Sequence, residues 1–392
     1  MLSRVWDRRP SYNNDAAVTS SAGLSLAKAL YYRAFAAAYY CAGGFADAVM
    51  VNSSWTQGHI DALWGLPAAS GGRRGGAPAA GGGGNGTPVT VITTGVLWPL
   101  CRAAGLSATR PASRLVYPPC NTDALAALPL ERSHLAGDAA GDAGGDGGPH
   151  RRRRLIVSVA QFRPEKDHEL QLRAFAAFRA RGGPAVRDVR LLLIGGCRDA
   201  GDAARVDALR ALAAELKLTG GGDTGDGGPP PVEFVLNAPL PALVRALGAA
   251  DAALHTMWNE HFGIGVVEAM AAGALPVAHA SGGPRADIVV PLPVGDGDGG
   301  SALRRPGFLA ATVDEYADAL AAVFALPDAE HTALAAAGRA HAVAEFSDER
   351  FQMGVYRALL PLVRDGLDAA RERRRADAEA RQRGGGGGSG RF

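Results

Sequence analysis

Cysteine is scarce in this chain, and its placement excludes two kinds of structure. Cys41, Cys101, Cys120 and Cys197 lie far apart and form no C-x-x-C pair. A disulfide scaffold or a zinc centre needs closer spacing, so the pattern fits a reducing compartment and no metal site is expected. Charge of one sign is also lacking. The 41 basic and 39 acidic residues leave a net charge of +2, and nucleic acid is not expected as a partner. The arginine clusters at 151–154 and 371–383 read as solvated ends of structural segments. No apolar run reaches the ~18 residues of a membrane-crossing helix. The opening MLSRVWDRRPSYNN has no apolar core of a signal peptide. The expectation is a soluble or peripheral chain.

Glycine and proline, by contrast, are plentiful, at 53 and 24 residues, and they cluster at 71–86, 137–148, 220–231 and 384–390. Such stretches cannot bury a core and read as loop insertions and a disordered tail. The rest of the 392 residues is apolar enough for two globular domains.

Residues 251–291 organise that remainder. DAALHTM reads as a buried strand, WNEHFGI as a tight loop, GVVEAMAAG as a helix ended by glycine, and ALPVAHA as the next strand before the turn Ser281-Gly282-Gly283-Pro284. This is a βαβ unit of a parallel sheet, in which ligands sit beyond the carboxyl ends of the strands. The loop ends at a helix N-terminus, a natural anion site, and Gly263 and Gly265 allow close backbone approach. Glu260 and Glu268, with seven residues between them, flank it. Amide N–H groups for a diphosphate and carboxylates for hydroxyls suit a sugar nucleotide.

Upstream, LIVSVA reads as a strand, the loop 161–168 carries Arg163 and Lys166, and residues 169–179 have helical periodicity. Two cations at a strand's carboxyl end can clamp a diphosphate and stabilise a leaving group's charge. VRLLLIGGC is the next strand; its Gly195 and Gly196 can admit a nucleotide base. Further strands and helices alternate to a closing amphipathic helix over 348–365. At the other end, LSLAKALYYRAFAAAYYCAG reads as a helix buried against a sheet, with a lean on a membrane surface as the alternative. DAVMVN is a strand, SSWT starts a helix running to about Trp64, the apolar run VTVITTGVLW interrupts a glycine-rich stretch, and residues 115–117 form a strand.

Glu260-x7-Glu268 with the intervening FGIG resembles the donor site of retaining GT-B glycosyltransferases of the family-4 type. HTMWNEHFGIGVVEAMAAG, SGGPRADIVVP, DAVMVNSSWTQGHIDALWG and RLVYPPCNTDAL are similar to the dolichol-pathway α-1,2-mannosyltransferases within it. The resemblance implies an α/β GT-B fold of two Rossmann-like doubly wound domains. The first would span 1–119 with a low-complexity insert at 66–110, and the second 120–346. A helix at 347–365 would return to the first, followed by a disordered tail at 366–392. It implies Glu260 by the reacting sugar, Lys166 and Arg163 on the diphosphate, and Glu268 on the ribose. Phe262, Gly263 and Ile264 would offer backbone N–H groups to phosphate, with Gly195, Gly196, Ser281 and Gly282 also lining the donor site. The family pattern sets an Arg five positions before the Lys, which here falls on Gln161, with Arg163 two residues later.

The implied reaction moves mannose from GDP-mannose to a dolichol-diphosphate-linked oligosaccharide at the cytosolic face of the endoplasmic reticulum membrane, without a metal or other cofactor. The membrane surface and other mannosyltransferases of the pathway are implied partners. Met1 aligns inside the family's first domain, so the acceptor side is expected to be incomplete and turnover poor. Two rivals stand beside this: a family-4 transferase with another donor or acceptor, and a donor-binding module without catalysis.

Overall fold

The structure, a computed structural model, describes residues 16–64, 111–130, 154–183, 186, 188–220, 230–295 and 301–384. The run VTVITTGVLW and most of the low-complexity insertions lie outside the described residues.

The first lobe opens with a short helix α1 (Ala16–Ser20) and a longer one, α2 (Ala22–Ala42), capped by the Ser21 hydroxyl accepting from Leu24 N–H. Strand β1 (Val49–Val51) is followed by α3 (Ser54–Trp64) and pairs in parallel with β2 (Ser113–Leu115). Burial of α2 against a sheet is not what the structure shows. Leu24, Leu26, Leu30, Tyr31, Phe35 and Tyr39 are exposed, while Ser25, Ala29 and Tyr40 are buried. The helix is apolar around much of its circumference, so its pattern carries no direction that could say which face is covered.

After α4 (Thr122–Ala126) comes the second lobe: β3 (Arg154–Val159), α5 (His168–Ala180), β4 (Val189–Gly195), α6 (Ala200–Glu215), β5 (Val232–Leu236), α7 (Leu240–Ala249), β6 (Ala252–His255), α8 (Ile264–Ala272) and β7 (Leu275–His279). Two strands not foreseen from the sequence, β8 (Leu292–Gly295) and β9 (Ser301–Arg304), form an antiparallel hairpin. Strand β10 (Phe308–Ala310) then completes the main sheet. Helices α9 (Val313–Ala325), α10 (Asp328–Phe346) and α11 (Asp348–Gly384) close the chain.

Helix α11 runs through residues expected in a disordered tail. The segment LDAARERRRADAEARQR is made of strong helix formers with acids and bases a turn apart, and such residues propagate a helix already started.

The main sheet is parallel, in the order β10-β7-β6-β3-β4-β5. Successive residues of each strand enter opposite cores, as the two-residue period requires. Ile156, Leu193 and Val277 face one apolar layer with Phe175, Phe178 and Leu320; Val157, Ile194 and Ala278 face the other with Val266, Val267 and Met270. Helices therefore cover both faces, and the α/β doubly wound expectation is met. Chain order reverses between β3 and β6: β4 and β5 lie on one side, β7 and β10 on the other. In such sheets a crevice opens at that reversal, beyond the strands' carboxyl ends.

Candidate functional site

The loops leaving β3 and β6 enter this crevice side by side. The β3 loop tightens into a 3-10 turn at Pro164–Lys166, then turns through Asp167 at φ 49°. The Asp167 carboxylate accepts from Leu170 N–H at 3.2 Å and caps α5. Thr256 holds this turn from the other strand: its hydroxyl is 2.7 Å from the Lys166 carbonyl and accepts from Gln171 Nε2 at 2.9 Å. Both side chains are buried, so these bonds fix the backbone from which Lys166 projects.

The β6 loop passes through Asn259 at φ 53° and reaches α8 through Gly263 at φ 113°. A second turn, after β7, supports it. Asn259 N–H donates to Ser281 Oγ at 2.8 Å, and Gly283 N–H to the Glu260 carbonyl at 2.8 Å. A Cβ on Gly282, which sits at φ 62°, would run into that same carbonyl, and one on Gly283 into the Phe262 carbonyl. The glycines let two backbones touch here.

Lys166 and Glu260 meet where these loops converge. Lys166 Nζ donates to Glu260 Oε2 at 2.8 Å and lies 3.1 Å from Met257 Sδ. His255 Nε2 approaches the same carboxylate oxygen at 3.4 Å, and Oε1 accepts from His261 N–H at 3.2 Å. Burial pushes the Glu260 carboxyl upward, but the facing His255 Nε2, the hydrogen bond from Lys166 and the lysine's charge outweigh it and hold the group at about 2.

Helix α8 starts beside this pair. Gly263 carbonyl accepts from Val266 and Val267 N–H, and the N–H groups of the first turn precede them at the helix start, where the helix dipole favours an anion. One turn on, Glu268 is half-buried, and among the described residues no hydrogen bond reaches its carboxylate; burial raises its pKa. The Arg339 guanidinium bonds the Ala271 and Ala272 carbonyls at the helix's other end, which anchors α8.

The remaining foreseen residues are gathered less tightly. Arg163 faces Glu165 at 3.8 Å and does not join the Lys166–Glu260 pair. A Cβ on Gly195 would strike the Ala160 carbonyl, so this glycine serves strand packing; Gly196 accepts from Phe162 N–H at 3.2 Å, and a Cβ there would meet only the Gln161 and Asn237 side chains, at ordinary contact distance. The Phe262 ring is buried between Tyr117 and Phe346, so only its backbone is left for a ligand. Ile264 is exposed at the helix start. The Ser281 hydroxyl also bonds His279 Nδ1 at 2.9 Å.

Sequence reasoning missed Thr256 and Gln171. For Thr256 the available signal was a polar residue directly after a buried strand. It missed Asn237 as well, whose amide clasps the Cys197 N–H and carbonyl across the ends of β4 and β5. The first lobe touches the same loops. Ser54 N–H, at the start of α3, and the Tyr117 hydroxyl both donate to the buried Asp287 carboxylate, at 3.0 and 3.1 Å. The rings of Trp55 and His261 lie 5.3 Å apart.

Among the described residues no group of three or more His, Cys, Asp or Glu is placed to hold a metal ion, and no helix is long and apolar enough to cross a membrane.

Known proteins match this chain in two stretches. Residues 146–295 match the family described as "Glycosyl transferases group 1", and residues 1–64 the one described as "ALG11 mannosyltransferase N-terminus". GDP-Man:Man(3)GlcNAc(2)-PP-Dol alpha-1,2-mannosyltransferase of Homo sapiens is 36% identical over 354 residues, covering 90% of this chain and 56% of that protein. The protein of that name from Dictyostelium discoideum is 30% identical over 371 residues, covering 94% of this chain and 57% of its own length. The chain thus spans a little over half of these relatives. Among solved structures, Anabaena Alr3699/HepE in complex with UDP superposes with a TM-score of 0.48 at 19% identity, over 66% of this chain and 60% of that one. The chain is thus similar over residues 146–295 to the group 1 glycosyl transferases, and over 90% or more of its own length to mannosyltransferases of that one name.

Proposed function

We propose that this chain takes part in transferring mannose, with retention, from GDP-mannose to a dolichol-diphosphate-linked oligosaccharide. The transfer makes α-1,2 linkages in N-glycan precursor assembly, at the cytosolic face of the endoplasmic reticulum membrane. The acceptor and the place come from the relatives and from family resemblance; the donor chemistry is supported by the site itself. In the reaction the bond from the sugar's anomeric carbon to the diphosphate breaks, a bond to an acceptor hydroxyl oxygen forms, and GDP and a proton are released.

The observation that carries this is the meeting of Lys166 and Glu260 at the strand-order reversal, beside the N-terminus of α8. Lys166 and the helix N–H groups of Gly263 and Ile264 offer positive charge where the leaving diphosphate gains negative charge. Glu260 faces the sugar, and Glu268, a helical turn away, takes the ribose hydroxyls. Gly196 gives room for the base, and Arg163 stands at the rim as a second cation. In this arrangement residues 120–346 hold the donor, and residues 1–119 face the acceptor.

Calorimetric titration with GDP, GDP-mannose and UDP-glucose tests the assignment. GDP and GDP-mannose are expected to bind, and Glu268→Ala to weaken GDP by about 1–3 kcal/mol through lost ribose hydrogen bonds. Unchanged GDP affinity in that variant removes Glu268 from the site.

A further inference from the structure

The geometry points to His255 as a positioning residue for the donor sugar: its Nε2–H holds the Glu260 carboxylate in place once Lys166 leaves that carboxylate for the diphosphate. This rests on the donor-site proposal above and adds to it the residue that acts through Glu260.

Lys166 cannot serve both groups equally. Among the described residues its one strong acceptor is Glu260 Oε2, at 2.8 Å; the other neighbour, Met257 Sδ, is a weak acceptor. A diphosphate offers more charge than one carboxylate and draws the long, flexible amine toward it. Glu260, whose side chain is only 18% exposed, is then left half-buried without its cation. An unpaired carboxylate in that setting takes up a proton or swings out toward water, and in either case the sugar's hydroxyls lose a fixed acceptor.

His255 is built to prevent this. It is the last residue of β6, in register with Ala278 of β7, and its carbonyl accepts from the buried Tyr316 hydroxyl at 2.9 Å. A group on a strand end holds position better than an amine on a loop. Its side chain is 13% exposed, and Nδ1 is buried with no hydrogen-bond partner among the described residues. That orphan nitrogen settles the tautomer. A proton on Nδ1 would bury an unsatisfied donor and leave nothing to offer Glu260. A proton on Nε2 leaves only an unused lone pair, the smaller cost. Nε2 then lies 3.4 Å from Glu260 Oε2, long for a hydrogen bond and free to shorten when Lys166 withdraws.

Titration of the full chain, His255→Leu and His255→Gln with GDP and with GDP-mannose tests this. GDP carries the diphosphate but not the mannose, so His255→Leu is expected to weaken GDP-mannose about tenfold more than GDP, the added loss being that of one charge-assisted hydrogen bond. Retained GDP binding certifies the fold of the variant. His255→Gln, which can present an N–H, is expected to recover most of the loss. An equal effect of His255→Leu on both ligands, or none on either, overturns the assignment, as does an Nδ1–H tautomer in ring-nitrogen NMR of the parent. Failure of the parent chain to bind either nucleotide overturns the donor-site proposal itself, and the role of His255 with it.

Discussion

Lys166 and Glu260 should be strongly coupled, and a double-mutant cycle measures by how much. The perturbations are Lys166→Met, which keeps the aliphatic stem, and Glu260→Gln, which keeps the shape of the carboxylate. Glu260 sits at about 2 against an ordinary 4.5, a gap that corresponds to roughly 3 kcal/mol between charged and neutral forms. That total belongs to all the groups around the carboxylate, His255 included. The side chains are 24% and 18% exposed, so solvent screens part of it, and about 1–2 kcal/mol remains for the Lys166–Glu260 pair. The sign follows from the depressed pKa. The stabilisation is full above the ordinary glutamate value and fades as pH falls through about 2. Urea denaturation of the four proteins at neutral pH, repeated toward acid, gives the coupling directly. A value under ~0.5 kcal/mol at neutral pH, or one that persists unchanged in acid, refutes the electrostatic account of the site.

Glu268 predicts the opposite sign. Its pKa is raised by burial, so its ionised form burdens the fold, and stability is gained as pH falls from the folded value to the ordinary one. Glu268→Gln is expected to raise the melting temperature at neutral pH, with the gain vanishing in acid, while GDP binding weakens; a variant no more stable than the parent contradicts this. Gly282→Ala is expected to destabilise by more than ~2 kcal/mol, because the new methyl meets the Glu260 carbonyl at a backbone angle that favours glycine. Denaturant midpoints check it, and a neutral effect means that the two turns do not touch.

Much of the second lobe is legible in the chain because its strands are buried on both faces. LIVSVA and VRLLLI are continuous apolar runs, and the helices between them keep their period. The Glu260–Glu268 spacing is legible too, since both lie within one βαβ unit. The Lys166–Glu260 contact is not. Its partners stand 94 residues apart, and they meet only because β3 and β6 are neighbours, a consequence of strand order that no local pattern prints. His255 is hidden for the same reason: its neighbour Glu260 is five residues on in the chain, but the bond depends on how the loop folds back. Helix α2 marks another limit. Where apolar residues surround a helix, sequence names the element and is silent on its orientation.

The reversal of strand order also governs when the site can exist during folding. Strands β3, β4 and β5 follow one another in the chain and pair as neighbours, as do β6 and β7. Each set can assemble from connections of ordinary length. The seam between them, where Ile156 pairs with Ala252, closes a far longer loop, and such closures come at a higher entropic cost. Lys166 belongs to one side of that seam and Glu260 to the other. Binding competence therefore arrives no earlier than the seam. A nucleotide that bridges the two loops stabilises only the joined sheet, by mass action on that state, and amide exchange along β3 and β6 should slow together when it binds.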